Sequence, residues 1–204
     1  MSRPNPLRGL FAFCATTLLA VTSDAHYFSP APGTDLERRD LRVHLAGAEW
    51  SLVSAKGLFS FDGLDKATAI LLDHAELFAP LAPGSEVLDI GCGWGPIALS
   101  LALTKPECHV PAIDANPHDE SARVDALWSN PPSRIGKSEL HAVLTRWIGQ
   151  LHGTGTAAMV VGKNLGADSL ATWLAGQFPT RPVEKVHSSK GFRLLGVGPE
   201  RPEV

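Results

Sequence analysis

The stretch VLDIGCGWG, residues 87–95, decides how this sequence folds. Val87, Leu88 and Ile90 form a short apolar run that suits a buried strand. Gly91, Gly93 and Gly95 follow at a strict two-residue spacing. Glycine takes positive φ without steric cost and lets a ligand approach the backbone closely. Ile97, Ala98, Leu101 and Ala102 then recur at helical spacing, so the turn faces the free N–H groups of a helix N-terminus. A dinucleotide fingerprint, G-x-G-x-x-G, requires its third glycine at position 96, where Pro96 stands. Asp89, just ahead of the glycines, suits a ligand bearing an ammonium group better than a pyrophosphate. The residues alone leave two readings of this turn: a ligand cradle, or a tight strand–helix connection with packing glycines.

Downstream, CHVPAID (108–114) reads as a second strand ending in Asp114, and VDALWSN (124–130) as a third. A carboxylate ending the strand after a glycine loop can accept hydrogen bonds from both hydroxyls of a ribose. The plainer role for Asp114 is a solvated strand end or an Asx turn with Asn116. SELHAVLTRWIGQLHG (138–153) predicts an amphipathic helix stopped by Gly153. TAAMVVG (156–162) predicts a strand, and GADSLATWLAGQF (166–178) a helix capped by Asp168. VEKVHS (183–188) and GFRLLGVG (191–198) close the chain as a hairpin.

Upstream, LRVHLAG (41–47) and EWSLVS (49–54) pair around Gly47 as another hairpin, and DKATAILLDHAELF (65–78) has helical spacing up to APLAPG. Strands alternating with helices imply an α/β fold. We expect a Rossmann-like, mainly parallel sheet with flanking helices, an N-terminal β-hairpin and a C-terminal antiparallel hairpin.

The 204 residues suit one domain with a small appendage, and 44% hydrophobic content is enough for a packed core. A net charge of −3 confines any nucleic-acid contact to a local patch, because such binders usually carry a basic excess. Cys14, Cys92 and Cys108 have no CxxC spacing, which argues against a disulfide framework and a thiolate zinc site. The histidines form no HExxH motif, so no metal is assigned.

Residues 1–25 have the layout of a secretory signal: Arg3 and Arg8, an apolar run from Leu10 to Val21, then small residues. That run is shorter than the ~20 apolar residues a membrane-spanning helix needs. A non-native extension or a loosely docked helix fits the same residues. The expected organisation is a leader-like segment (1–25) and one domain (26–204), itself a hairpin and helix (26–80) and a ligand-binding core (81–204).

VLDIGCGWG, AID (112–114) and NPP (130–132) together resemble the class I S-adenosylmethionine-dependent methyltransferases. Within that superfamily the chain is similar to the small-domain methyltransferases that act on guanine N2 of small-subunit ribosomal RNA. The supporting segments are HYFS (26–29), GLFSFDGLDKATAILL (57–72), SNPPSRIGK (129–137), GADSL (166–170) and SKGFRLL (189–195).

The resemblance implies S-adenosylmethionine as cofactor, held by Asp89, Gly91, Gly93, Gly95 and Asp114. Phe59 and Ser60, in a segment with Asp65 and Thr68, would cover its methionine end. It implies ribosomal RNA or the small ribosomal subunit as partner, a cytoplasmic location and no stable membrane association; export through the leader is the alternative.

Asn130, Pro131 and Pro132 are then the catalytic residues. An exocyclic amine conjugated with its ring is a poor nucleophile. The Asn130 side-chain oxygen and the Pro131 carbonyl would hold its two N–H groups and aim the nitrogen lone pair. The prolines stiffen the backbone so that both acceptors are preorganised. A sulfonium is already a good leaving group, so neither a metal nor a strong base is required.

The base must leave its stack to reach such a pocket. Ser133 stands where related amine methyltransferases often place a ring. Arg134 and Lys137 would meet phosphate or a flipped nucleotide, or solvate a helix start; Lys190 and Arg193 would add to a basic face.

One unit of the resembled family is missing. A helix and a strand normally separate the ribose carboxylate from NPP, whereas here the gap is 130 − 114 = 16 residues. The stretch from Asp114 to Arg123, 123 − 114 = 9 residues, spans roughly 30 Å when extended. That is just enough for a near-bare connection, since parallel crossovers normally take a dozen or more residues. The expectation is a chain that keeps the transfer geometry but binds the methyl donor poorly. The alternative is a catalytically silent relative that binds RNA or a partner through the same surface.

Overall fold

The computed structural model describes residues 38–55, 63–113, 123–132 and 135–202. The leader-like segment, Phe59, Ser60, Asp114, Ser133 and Arg134 lie outside them.

Strands β1 (Arg38–Leu45) and β2 (Ala48–Ala55) form a separate antiparallel hairpin. Its two-residue turn, Ala46-Gly47, has positive φ at both positions (51° and 79°), the twist that matches flanking strands. Six further strands make one sheet: β3 (Val87–Ile90), β4 (Ala112–Ile113), β5 (Val124–Ser129), β6 (Leu151–Gly162), β7 (Val183–Ser189) and β8 (Phe192–Val197). Their spatial order is β4-β3-β5-β6-β8-β7. The first four are mutually parallel, and β8 pairs antiparallel with both β6 and β7. This is the expected α/β class, with a hairpin at each end of the chain's order.

Among the described residues four α-helices flank the sheet: α1 (Lys66–Asp73), α2 (Pro96–Thr104), α3 (Lys137–Ile148) and α4 (Ala167–Gln177). Strand side chains alternate between faces, and both faces are covered. Leu88, Ile90, Leu127, Met159 and Leu195 pack with Leu144 and Ile148 of α3 and Leu170 and Leu174 of α4. Val87, Trp128, Val160 and Leu194 pack with Ile70 and Leu71 of α1 and Ile97 and Leu101 of α2. Burial on both faces explains why VLDI and ALW read as unbroken apolar runs. The hairpin forms an outer layer: Leu41, Val43, Leu45 and Leu52 close on Leu99 of α2 and Trp94 of the glycine turn.

Several element ends differ from the sequence expectation. The helix beginning at 66 stops at Asp73, not near Phe78, and a 3-10 turn (Ala75–Leu77) follows. His74 Nδ1 lies 2.9 Å from the Ile70 carbonyl, so the ring occupies an acceptor that another turn of helix would use. Phe78 instead packs edge-on against Trp128, with ring centroids 5.4 Å apart.

Helix α3 ends at Gly149, not Gly153, because Leu151 is already buried in β6. Residues 152–155 are absorbed by a register shift in β6, where Val124 pairs with Leu151 but Ala126 with Thr156. The second strand shrinks to Ala112–Ile113, since Pro111 lacks the N–H a ladder needs. Asp168 is not the cap of α4; Gly166 is, at φ 90°. Asp168 lies in the first turn, where its carboxylate pairs with Lys185 and Arg193.

Candidate active site

The site begins with strand register. β3 and β5 are adjacent and parallel, with Ile90 opposite Ser129. The glycine turn and the NPP segment therefore leave the same end of the sheet side by side. Ser129 Oγ donates to the Ile90 carbonyl at 2.7 Å and fastens the two exits together. A β-carbon at position 91 would lie 3.3 Å from Pro132 Cδ and 3.7 Å from the Asn130 carbonyl oxygen. Gly91 is thus required both by this close approach and by its φ of 70°.

The turn is held at several points. Gly91 N–H donates to Ile113 O of β4 at 2.8 Å, and Gly95 N–H to Cys92 O at 2.8 Å. Gly93 and Gly95 also have positive φ, 55° and 88°. Trp94 Nε1 donates to Gly63 O at 3.2 Å, tying the turn to the segment before α1. Asp89 is fully buried, and its Oδ2 accepts the Ala98 N–H in the first turn of α2 at 3.0 Å. That hydrogen bond satisfies a free N–H of the first helical turn, so Asp89 braces the cradle from beneath.

Asn130 is half-buried, and its amide is assigned by its neighbours. Nδ2 donates to Asp65 Oδ2 and to Thr68 Oγ1, both at 3.0 Å. A carboxylate only accepts, so the amide nitrogen must face Asp65 and Oδ1 must face away. Asp65 also caps α1, accepting from Ala67 N–H at 2.9 Å and Thr68 N–H at 3.1 Å. Sequence reasoning placed Asp65 and Thr68 over the methionine end of a cofactor; the structure adds a direct hold on Asn130. Asp65 and Asn130 are 65 positions apart in the chain, so no local spacing could have announced it.

Beside Asn130 lies a half-open hollow of about 140 Å³, lined by Asp65, Pro131, Val160, Gly162, Leu165 and Phe192 among others. The last three come from the C-terminal end of β6, the 3-10 turn after it (Lys163–Leu165) and the start of β8. Sequence reasoning missed Leu165 and Phe192, since both read as ordinary apolar positions.

Lys137 is the exposed first residue of α3. Lys190 is exposed in the β7–β8 turn. A larger groove of about 750 Å³, near Asp125, His152 and Glu200, sits at the other end of β5, away from the glycine turn. Among the described residues no cluster of three or more histidine, cysteine or acidic side chains is arranged to hold a metal, and no helix is long and apolar enough to cross a membrane.

Comparison with known proteins agrees with this geometry. Residues 49–119 match the family model described as methyltransferase small domain. The uncharacterized protein YbxB of Bacillus subtilis is 26% identical over 198 residues, covering 83% of this chain and 96% of that protein. A ribosomal RNA small subunit methyltransferase C of Shewanella amazonensis is 29% identical over 153 residues, 61% of this chain and 43% of that protein. The match thus spans less than half the length of that methyltransferase.

Among solved structures, the T. thermophilus 16S rRNA guanine-N2 methyltransferase, in complex with AdoMet and guanosine, superposes with a TM-score of 0.64 at 21% identity, covering 84% of this chain and 53% of that one. A protein-(glutamine-N5) methyltransferase of Alicyclobacillus acidocaldarius gives a TM-score of 0.53 at 25% identity, covering 68% and 94%. The chain has the class I methyltransferase fold, and its residues 49–119 are similar to the methyltransferase small domain.

Proposed function

We propose that the protein is an S-adenosylmethionine-dependent N-methyltransferase whose acceptor is an exocyclic amine, guanine N2 of small-subunit ribosomal RNA. When bound, the donor supplies an electrophilic methyl group on a sulfonium that leaves as a neutral thioether. Support for its fit comes from the cradle: positive φ at Gly91, Gly93 and Gly95, followed at once by the N-terminus of α2. Asp114, Phe59 and Ser60 complete the donor pocket in this reading.

The observation that carries the proposal is the tethered Asn130 amide. With Nδ2 committed to Asp65 and Thr68, Oδ1 is the acceptor presented to the hollow. Oδ1 and the Pro131 carbonyl take the two N–H groups of the acceptor amine, which leaves its lone pair free to face the methyl carbon. Pro131 and Pro132 hold these acceptors without reorganisation. The amine gives up one proton to water after transfer, so no strong base is needed. Ser133, Arg134 and Lys137 follow on the substrate side, where the two cations meet phosphate. Ribosomal RNA as acceptor implies action in the cytoplasm.

One observation favours the second reading, a relative that binds RNA or a partner but transfers methyl groups weakly. Strand β4 is two residues long, and among the described residues nothing pairs with its outer edge. The wall that a further strand and helix would raise against the donor is short. Two measurements separate the readings: calorimetric titration with S-adenosylmethionine, and tritiated-methyl transfer to small ribosomal subunits. Label recovered in RNA supports the first reading. Weak donor binding with no label supports the second.

A further inference from the structure

We propose that Leu165 and Phe192 form an apolar clamp that receives the acceptor base, replacing the ring that position 133 lacks. The inference rests on the methyltransferase reading but concerns a different part of the site. The hollow beside Asn130 is about 140 Å³, well under the roughly 300–1,000 Å³ of a pocket that takes a whole drug-sized ligand. It suits one planar heterocycle. Asn130 and Pro131 are in its lining, and in the proposed function Asn130 Oδ1 and the Pro131 carbonyl are acceptors, so the ring they hold carries an amino group.

Leu165 is 59% exposed. A lone exposed leucine means little by itself. Its seating is more telling, because it lies directly over the end of β6. A β-carbon at Gly162 would come within 3.1 Å of Leu165 Cδ1 and 3.2 Å of its Cγ. Gly162 therefore lets the leucine lie flat along one wall of the hollow. Phe192 stands opposite Gly162 in the β6–β8 register, so its ring lies beside Leu165 on the same sheet face, and it is packed against the cluster containing Val160 and Leu194.

The two loops that carry the clamp are bonded to each other through Lys163 N–H and Gly191 O at 2.8 Å. Their exposed side chains include Lys163 and Lys190. Lys185 and Arg193 are engaged with Asp168, so Lys163 and Lys190 are left to meet the phosphates flanking an extruded base. A base unstacked from RNA needs an apolar face to replace its neighbours, and base–side-chain stacking supplies that.

The test uses the full chain with Leu165→Ala, Leu165→Met and Gly162→Ala, after thermal melts show that each folds. Guanosine binding is read by saturation-transfer NMR, donor affinity by calorimetry, and acceptor KM and kcat by methyl transfer. Losing most of one buried leucine contact is worth about tenfold in affinity. Leu165→Ala and Gly162→Ala are expected to weaken guanosine binding and raise acceptor KM by about that factor, with donor affinity within about twofold and Leu165→Met close to wild type.

Unchanged guanosine binding in Leu165→Ala, or no guanosine binding by the wild type, overturns the clamp. So does a parallel loss of donor affinity, which would assign the hollow to the donor. If guanosine binds through Leu165 and yet no methyl group is transferred, the clamp stands and the catalytic reading fails.

Discussion

Asn130 Nδ2 lies 3.0 Å from both Asp65 Oδ2 and Thr68 Oγ1, and this pair of contacts turns a readable motif into an oriented one. NPP was legible in the sequence because two adjacent prolines after an apolar run have no place inside a sheet. Its orientation was not, because the tether comes from a distant helix start. Thr68→Val keeps the shape of a buried side chain (2% exposed) but removes the acceptor. One lost hydrogen bond is worth about 1 kcal/mol, so kcat should fall roughly five- to tenfold with donor affinity unchanged. Thr68→Ser should restore it, and steady-state kinetics beside calorimetry make the comparison. Gly91→Ala must meet Pro132 Cδ at 3.3 Å and hold φ near 70°. We expect a loss of about 1–3 kcal/mol in urea unfolding together with loss of donor binding.

At the scale of elements, apolar strands and glycine turns were legible and helix ends were not. The runs at 87–90 and 124–129 have neighbours on both faces, so apolarity alone marked them. The ends at His74, Gly149 and Gly166 depended on tertiary partners: a ring on the Ile70 carbonyl, a strand starting at Leu151, and basic residues that drew Asp168 away from a capping role. Asp168 joins α4 to the β7–β8 hairpin. Hydrogen bonding from Lys185, and next from Arg193, holds its carboxyl below the usual 3.8.

A carboxylate with a depressed folded-state pKa contributes stability that is present above its unfolded value and lost as pH falls through the folded value. The tie should therefore persist at pH 5 and weaken only below the ordinary carboxylate range. Because the group is solvent-exposed, its removal should shift overall stability little. Carbon-13 NMR titration of Asp168 should show Lys185→Gln moving its pKa upward; an unmoved value would remove Lys185 as the main cause. Asp65 is the other element-scale contact, capping α1 through two backbone N–H groups. Asp65→Ala should cost about 1 kcal/mol of stability in thermal or urea unfolding and lower kcat as well, whereas Asp65→Asn retains a capping oxygen and should lose less of both.

For the whole molecule, the sheet order places β4 and β5 on opposite sides of β3. The chain thus passes from one side of the donor cradle to the other between Ile113 and Val124. The sequence disclosed this economy through a count of residues, and the strand order gives it a location: among the described residues, no strand lies beside the outer edge of β4. Calorimetry should accordingly show S-adenosylmethionine binding weaker than micromolar, and micromolar or tighter affinity would contradict the shortened-pocket idea. With a net charge of −3, the proposed RNA contact rests on local cations such as Arg134, Lys137, Lys163 and Lys190, so acceptor KM should rise with salt.

The central claim is that the tethered asparagine beside the glycine cradle directs methyl transfer to an amine. The most direct test is tritiated-methyl transfer from S-adenosylmethionine, supplied near saturation, to undermethylated small ribosomal subunits by the wild type and by Asn130→Ala. We predict label recovered as N2-methylguanine with the wild type and a loss of about a hundredfold or more with Asn130→Ala, in line with removal of a preorganised acceptor. Equal labelling by both proteins, or no labelling by the wild type, would contradict the account.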